Sequence, residues 1–443
     1  MQKNLTTGNI FKNLIYFSLP YLLSSFLQTF YGMADLFIAG QFNGSPTISA
    51  ISTGSQIMHM LTVILVGLAM GTTVLISRAV GACDKEKINE TIGNSVTLFI
   101  GVSLFFTAVL LICTNGIVSV MSVPSAAVKE ARSYLTICFA GIPFITAYNI
   151  ISCIFRGLGD SKTPMYFIAI ACAANIALDY LFIGYLHMGA AGAAFGTVLA
   201  QTISVLCSLL AIKKKNTGIT LSRNDFRIKK DICSSIFRIG VPISLQDGFI
   251  QISFIIITII ANERGLIIST AVGIVEKVIG FLFLIPSAML SAISAIAAQN
   301  IGANEYERAR KTLFFGTAVA VSFGLVFFVL CQFISGNIVG LFSDDTEVIR
   351  MGTQYLRSYS LDCAIAAVHF CFSGFFCAHG RSVISFVHNL CSIIVIRIPG
   401  AYLASKWFPD SLFEMGLAAP LGSLLSACIC IFVYFCLRNK KQI

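Results

Sequence analysis

The chain has 443 residues, 56% hydrophobic and only 11% charged, with a mean hydropathy of +0.85. That much apolar side chain excludes a soluble globular protein of this length. The net charge of +10 is not a nucleic-acid signal, because the basic residues gather on one side of the predicted membrane spans. Apolar stretches of about 20 residues, the length that crosses a bilayer, recur along the whole chain. The expected fold class is therefore an all-α polytopic membrane protein.

The N-terminus, Met1 to Asn9, is polar and lacks the layout of a signal peptide, so the first span is expected to direct insertion. Twelve spans are predicted, at 13–39, 47–76, 92–115, 132–155, 164–184, 190–212, 236–261, 268–297, 312–335, 352–377, 384–405 and 415–437. With the N-terminus in the cytoplasm, five basic residues fall outside: Lys129, Arg132, Arg264, Arg350 and Lys406. Three more, Lys277, Arg357 and Arg397, fall within spans, which leaves 22 of the 30 Lys and Arg on the cytoplasmic side. That bias predicts a multi-pass protein of the inner or plasma membrane with both termini in the cytoplasm.

The chain also repeats itself. Gly81-Ala-Cys-Asp-Lys-Glu-Lys follows span 2, and Gly302-Ala-Asn-Glu-Tyr-Glu-Arg follows span 8, 221 residues later. The same offset pairs Tyr134-Leu135 with Tyr355-Leu356, and Gly159 with Gly380. Pro20 and Pro242 stand 222 apart. Shared apolar composition would not hold polar loop residues in register, so the twelve spans read as two pseudo-symmetric six-helix bundles. The expected lobes are 1–212 and 235–443, joined by a basic cytoplasmic linker, 213–234, at the anionic inner leaflet.

Ionisable residues inside apolar spans are costly and mark function or pairing. In span 1, Asp35 is the only charged side chain after Lys12. In span 5, Asn175 and Asp179 are four apart and share a helix face, as do Thr197 and Gln201 in span 6. These residues, with Tyr31, are the candidate polar cluster of the first lobe; Asp35 and Asp179 are the candidate ion-coupling acids. An apolar surround favours the neutral form of a carboxyl, and a second carboxylate adds to the effect. That suits proton uptake and release. The second lobe offers weaker candidates: Asp247 and Gln251 in span 7, Glu276 in span 8 and Asp362 in span 10. Glu276 and Lys277 are adjacent and point to different faces. Arg397 is expected to orient span 11 by pairing or snorkelling.

Fifteen cysteines and five histidines show no metal-ligand or disulfide spacing, so no metal or cofactor is expected beyond a coupling ion. There is no phosphate-binding Gly-x-x-x-x-Gly-Lys-Ser/Thr run and no catalytic constellation of acids with a facing histidine. An intramembrane enzyme is disfavoured. The expected partners are small molecules and membrane lipids, with no nucleic acid, and the expected state is a monomer.

The chain resembles the multidrug and toxic compound extrusion (MATE) family over nearly its whole length. The resemblance is carried by Leu27-Gln-Thr-Phe-Tyr-Gly-Met-Ala-Asp35-Leu-Phe-Ile-Ala-Gly40, Gly71 to Gly81, and Arg156-Gly-Leu-Gly-Asp-Ser-Lys-Thr-Pro164. Gly192-Ala-Ala-Phe-Gly-Thr197 and Ala298-Gln-Asn-Ile-Gly-Ala303 complete it. It implies alternating access and secondary-active efflux of bulky, often cationic amphiphiles in exchange for protons or sodium. Asp35 resembles the family's first-helix acid. Asn175, Asp179 and Thr197 resemble the polar cluster of its proton-coupled, damage-inducible branch. Sodium-type members place a glutamate in span 7 and an aspartate in span 10; here span 7 offers Ile250 and Gln251, and Asp362 stands about a turn away. The departure favours protons. A lipid or lipid-linked oligosaccharide flippase of the wider group is the alternative, and it calls for a cationic cavity where this first lobe offers acids.

Overall fold

The computed structural model describes residues 4–121, 123–214 and 221–440. Lys3, Lys215 and Lys441, counted above with the cytoplasmic residues, and 215–220 of the linker lie outside them. Among the described residues there is no strand. The first half runs α1 (Ile10–Phe42), α2 (Ser45–Gly81), α3 (Lys85–Val120), α4 (Val128–Ala140), α5 (Ile142–Gly157), α6 (Lys162–Asp179) and α7 (Gly189–Lys214). The second runs α8 (Lys230–Asn262), α9 (Leu266–Leu282), α10 (Leu284–Gly302), α11 (Tyr306–Gly340), α12 (Thr346–Tyr359), α13 (Asp362–Ala378), α14 (Ser382–Ser392), α15 (Ile398–Trp407) and α16 (Phe413–Asn439).

The predicted spans reappear with longer ends. Among the described residues, ten stretches are long and apolar enough to cross a membrane as they stand. Two more form when bent helix pairs are each taken as one span: α4 with α5 (48°) and α12 with α13 (40°). Both bends fall in the fourth span of their half, one at Gly141 and the other at Ser360–Leu361, where sequence reading expects continuous helices. Pro143 and Pro286 lie in the first turns of α5 and α10, where a missing N–H costs no helical bond. Pro20 and Pro242 lie inside α1 and α8.

The repeat is written into the backbone. Cys83 (φ 57°) and Asn304 (φ 60°) both adopt the left-handed conformation, as do Gly159 (φ 88°) and Gly380 (φ 71°). Each pair is followed by the same reversed hydrogen bond that closes a helix C-terminus: Asp84 N–H to the Ala79 carbonyl and Glu305 N–H to that of Asn300; Asp160 to Phe155 and Arg381 to Phe376. Asp84 then caps α3, its carboxylate accepting from the Lys87 N–H at 3.0 Å.

Packing divides the chain into two compact units, and the division runs through two helices rather than a loop. One unit contains Leu19–Gly240; the other contains Leu5–Ser18 and the chain from Val241 onward. In the first unit the start of α8 presses onto α2. A Cβ at Gly71 or Gly240 would strike the backbone carbonyl of Ile236 or Leu68, so only glycine permits this approach. In the second, the Leu5 N–H donates to Gln299 Oε1 at 3.0 Å and Arg308 Nη2 donates to the Gly8 carbonyl at 3.1 Å. Both helices change unit within two residues of their prolines.

The described end of the linker is strapped to α3. Thr97 Oγ1 donates to the Phe226 carbonyl at 2.9 Å, Asn94 Nδ2 donates to that of Asp225 at 3.1 Å, and the Lys229 N–H donates to Asn94 Oδ1 at 2.6 Å. Lys229 Nζ pairs with Glu90. That carboxylate pushes the Lys229 ammonium above its ordinary range.

Candidate functional site

The first unit brings its predicted polar residues together from three helices. Asp35 on α1 is 2% exposed, and Asp179 on α6 is fully buried. Thr197 on α7 donates from Oγ1 to Asp35 Oδ2 at 3.2 Å. One turn further along α7, Gln201 Nε2 donates to the Tyr31 hydroxyl at 3.2 Å, itself one turn before Asp35. Asp179 and Asn175 stand within electrostatic reach of Asp35, without an aligned hydrogen bond to it.

Two local features put Asp179 there. It closes α6, and the next six residues, Tyr180–Tyr185, form a π-turn whose wider bonding includes Leu186 N–H to the Leu181 carbonyl at 2.9 Å. π-turns are rare and gather at functional sites, because the inserted residue re-aims the side chains around it. On the facing helix stands Gly196. A Cβ there would run into Asp179 Oδ1 and come within 3.7 Å of Asn175 Nδ2.

The cluster does not satisfy itself. Asp35 Oδ1, both Asp179 oxygens, both amide atoms of Asn175 and Gln201 Oε1 are buried without a hydrogen-bond partner. An unpaired buried polar atom costs about 1–3 kcal/mol, so these groups call for a partner that α1, α6 and α7 do not supply. This arrangement can take up protons or a cationic group.

Tyr134 on α4, held by a 3.1 Å bond with Ser55, also lies within electrostatic reach of Asp35, and sequence reasoning passed over it as a site residue. Its pairing with Tyr355 across the repeat was the available signal.

The second-lobe candidates separate. Glu276 on α9 and Asp362 at the start of α13 share a buried group with Arg397, Tyr355 and Tyr359. Lys277 is exposed and points away, as adjacency on a helix requires. Arg397, expected to pair or snorkel, is only 7% exposed; it stays inside and donates to the Tyr359 hydroxyl. Asp247 is half-buried and lies within electrostatic reach of Cys377 on α13. Eleven residues along α8, about 16 Å, separate it from Thr258, which bonds Glu276. Gln251 is half-buried and contributes to none of the bonds described for either group. The buried histidines pair with each other, 5.6 Å between ring centroids. His388 also bonds Ser373 and Ser426. Among the described residues no three His, Cys, Asp or Glu side chains are placed to hold a metal ion.

The MatE family model matches residues 20–181 and again 242–403, so it finds both halves of the repeat at a 222-residue offset. The chain is 30% identical over 430 residues to the probable multidrug resistance protein YpnP of Bacillus subtilis (strain 168), covering 97% of this chain and 96% of that protein. It is 26% identical over 446 residues to the multidrug export protein MepA of Staphylococcus haemolyticus (strain JCSC1435), covering 98% and 96%. A crystal structure of MATE in the straight conformation superposes with a TM-score of 0.91 at 21% identity, covering 99% of this chain and 98% of that one. A MOP superfamily transporter from Pyrococcus furiosus superposes with 0.92 at 21% identity over the same shares. The two structures establish the shared fold, and the sequence matches go further: the chain belongs to the MatE family of multi-span membrane transporters.

Proposed function

We propose that this chain is a secondary-active multidrug exporter of the cell membrane, moving bulky, often cationic amphiphilic compounds outward in exchange for protons by alternating access. It works as a monomer with both termini in the cytoplasm, and with no cofactor beyond the coupling ion. The observation that carries this reading is the first unit's buried acid pair, Asp35 and Asp179, with three oxygens of the pair and three polar atoms of Asn175 and Gln201 left unbonded. The names of YpnP and MepA support the substrate class.

In the mechanism, Asp35 and Asp179 share the coupling proton. Without it the pair is anionic and attracts a cationic compound. A proton entering removes the buried charge and weakens that attraction, so proton and compound compete. Thr197 can follow the change, since a hydroxyl donates to a carboxylate and accepts from a carboxylic acid. Asn175, with donors and an acceptor unbonded, can serve either state. Each inward proton supplies about 2.3 kcal/mol per 100 mV of membrane potential. A tenfold proton gradient adds about 1.4 kcal/mol.

Cells expressing the chain should accumulate less of a fluorescent cationic dye than cells expressing none. A proton uncoupler should abolish the difference. Exclusion of the dye that survives the uncoupler in sodium-free medium would overturn the reading.

A further inference from the structure

The second unit buries a group of ionisable residues built differently from the first. Its cation is Arg397, the last residue of the π-turn Ile393–Arg397 between α14 and α15. The guanidinium lies 4.8 Å over the Phe254 ring and donates from Nη2 to the Tyr359 hydroxyl, while Nε has no partner. Two carboxylates lie in its field, Asp362 and Glu276. Asp362 is fully buried beside Ser423, with no aligned hydrogen bond at either oxygen. Glu276 accepts from Thr258 Oγ1 at 3.2 Å through Oε2, and its Oε1 is buried and unbonded.

A buried arginine near a carboxylate ordinarily makes a two-pronged bond to it. Here it bonds a phenol and leaves three carboxylate oxygens without an aligned partner. The group therefore resembles a cation site whose cation comes with the chain. A guanidinium cannot leave or lose its proton under working conditions. It repels a second cation at a few ångströms, and that repulsion is strong in an apolar interior. The repeat points the same way. The offset is 221 at Gly159 and Gly380 and 222 where the family match ends, at 181 and 403; counted from those ends, Arg397 stands opposite Asn175. One half places an uncharged amide beside its two acids; the other places a fixed positive charge.

We propose that Arg397 is a tethered counter-cation that fills the acidic site of the second unit and keeps sodium out of it. Of the two units, only the first then exchanges a coupling cation. This rests on the proposed cation-driven export only for its consequence in transport; the test reads ion binding alone. A residue that merely anchors α15 to α12 through Tyr359 would destabilise the protein when replaced, without creating a sodium site.

The test is equilibrium binding of radioactive sodium to the full chain in lipid nanodiscs, at mildly alkaline pH in a potassium background. The wild-type protein should bind no sodium that Glu276→Gln or Asp362→Asn removes. Arg397→Gln should gain one sodium per chain, lost again when Glu276→Gln is added, while Arg397→Lys should gain none. If Arg397→Gln purifies poorly, its melting temperature carries the same reading. Sodium in place of potassium should raise it and leave the wild-type value unmoved. Sodium binding by the wild type that Glu276→Gln abolishes would overturn the proposal. So would a folded Arg397→Gln that neither binds sodium nor is stabilised by it.

Discussion

Asp35 is a carboxylate with one bond, from Thr197, and one oxygen left bare beside a second bare carboxylate. The position of that second acid depends on Gly196. Gly196→Ala puts a methyl group into Asp179 Oδ1, and overpacking of this kind costs about 1–3 kcal/mol. The expected result is a lower melting temperature together with a large loss of dye export. Gly101→Ala, where a Cβ meets nothing within 4 Å, should change neither. Measuring melting and export for both variants checks this, and full export by Gly196→Ala would show that the placement of Asp179 does not matter. Asp35, Asn175, Asp179, Thr197 and Gln201 were legible in the sequence for two physical reasons. Charge is expensive in an apolar span, and a spacing of four puts side chains on one helix face. The group around Arg397 was not legible, because its acids come from α9 and α13 and its base from a π-turn. Only tertiary packing joins three elements so far apart in the chain.

At the scale of elements, the spans were readable from apolar length, but their interruptions were not. The breaks at Gly141 and Ser360–Leu361, and the π-turns after Asp179 and before Ile398, lie inside stretches that read as unbroken spans. Hydrophobicity carries no record of a backbone that changes its bonding by one residue. The linker was read as a basic segment on the lipid surface, yet Asn94, Thr97 and Glu90 bind its described end to α3. Glu90 holds Lys229 charged above the usual lysine range, so on the alkaline side the tie persists past neutral pH and is lost as strongly alkaline pH discharges Lys229. Glu90→Gln should loosen the strap and speed tryptic cleavage at Arg227 and Lys229, with export preserved. Unchanged cleavage would mean that the backbone bonds to Asn94 and Thr97 suffice.

Across the whole molecule, the two halves share their span order, their broken fourth spans and the left-handed residues that end their second and fourth spans. The family model matches each half separately. The halves differ in charge. Position 35 carries an acid and its counterpart, Ile257, none; Asn175 answers to Arg397. One backbone plan thus carries two electrostatic designs, and the proposed export places coupling in the first half. The orientation that this requires can be checked on the native thiol Cys83, which is exposed in the loop after α2. A membrane-impermeant maleimide should label it in inside-out vesicles and not in intact cells, with Cys83→Ser as the control; labelling in intact cells would reverse the topology.

The central claim is that the Asp35–Asp179 pair couples export to protons. The most direct measurement is dye transport by the purified chain in sodium-free proteoliposomes under an imposed proton gradient. The wild-type protein should drive the dye against its concentration gradient. Asp35→Asn should retain its melting behaviour and lose all gradient-driven transport. Undiminished proton-driven transport by a folded Asp35→Asn protein would contradict the account.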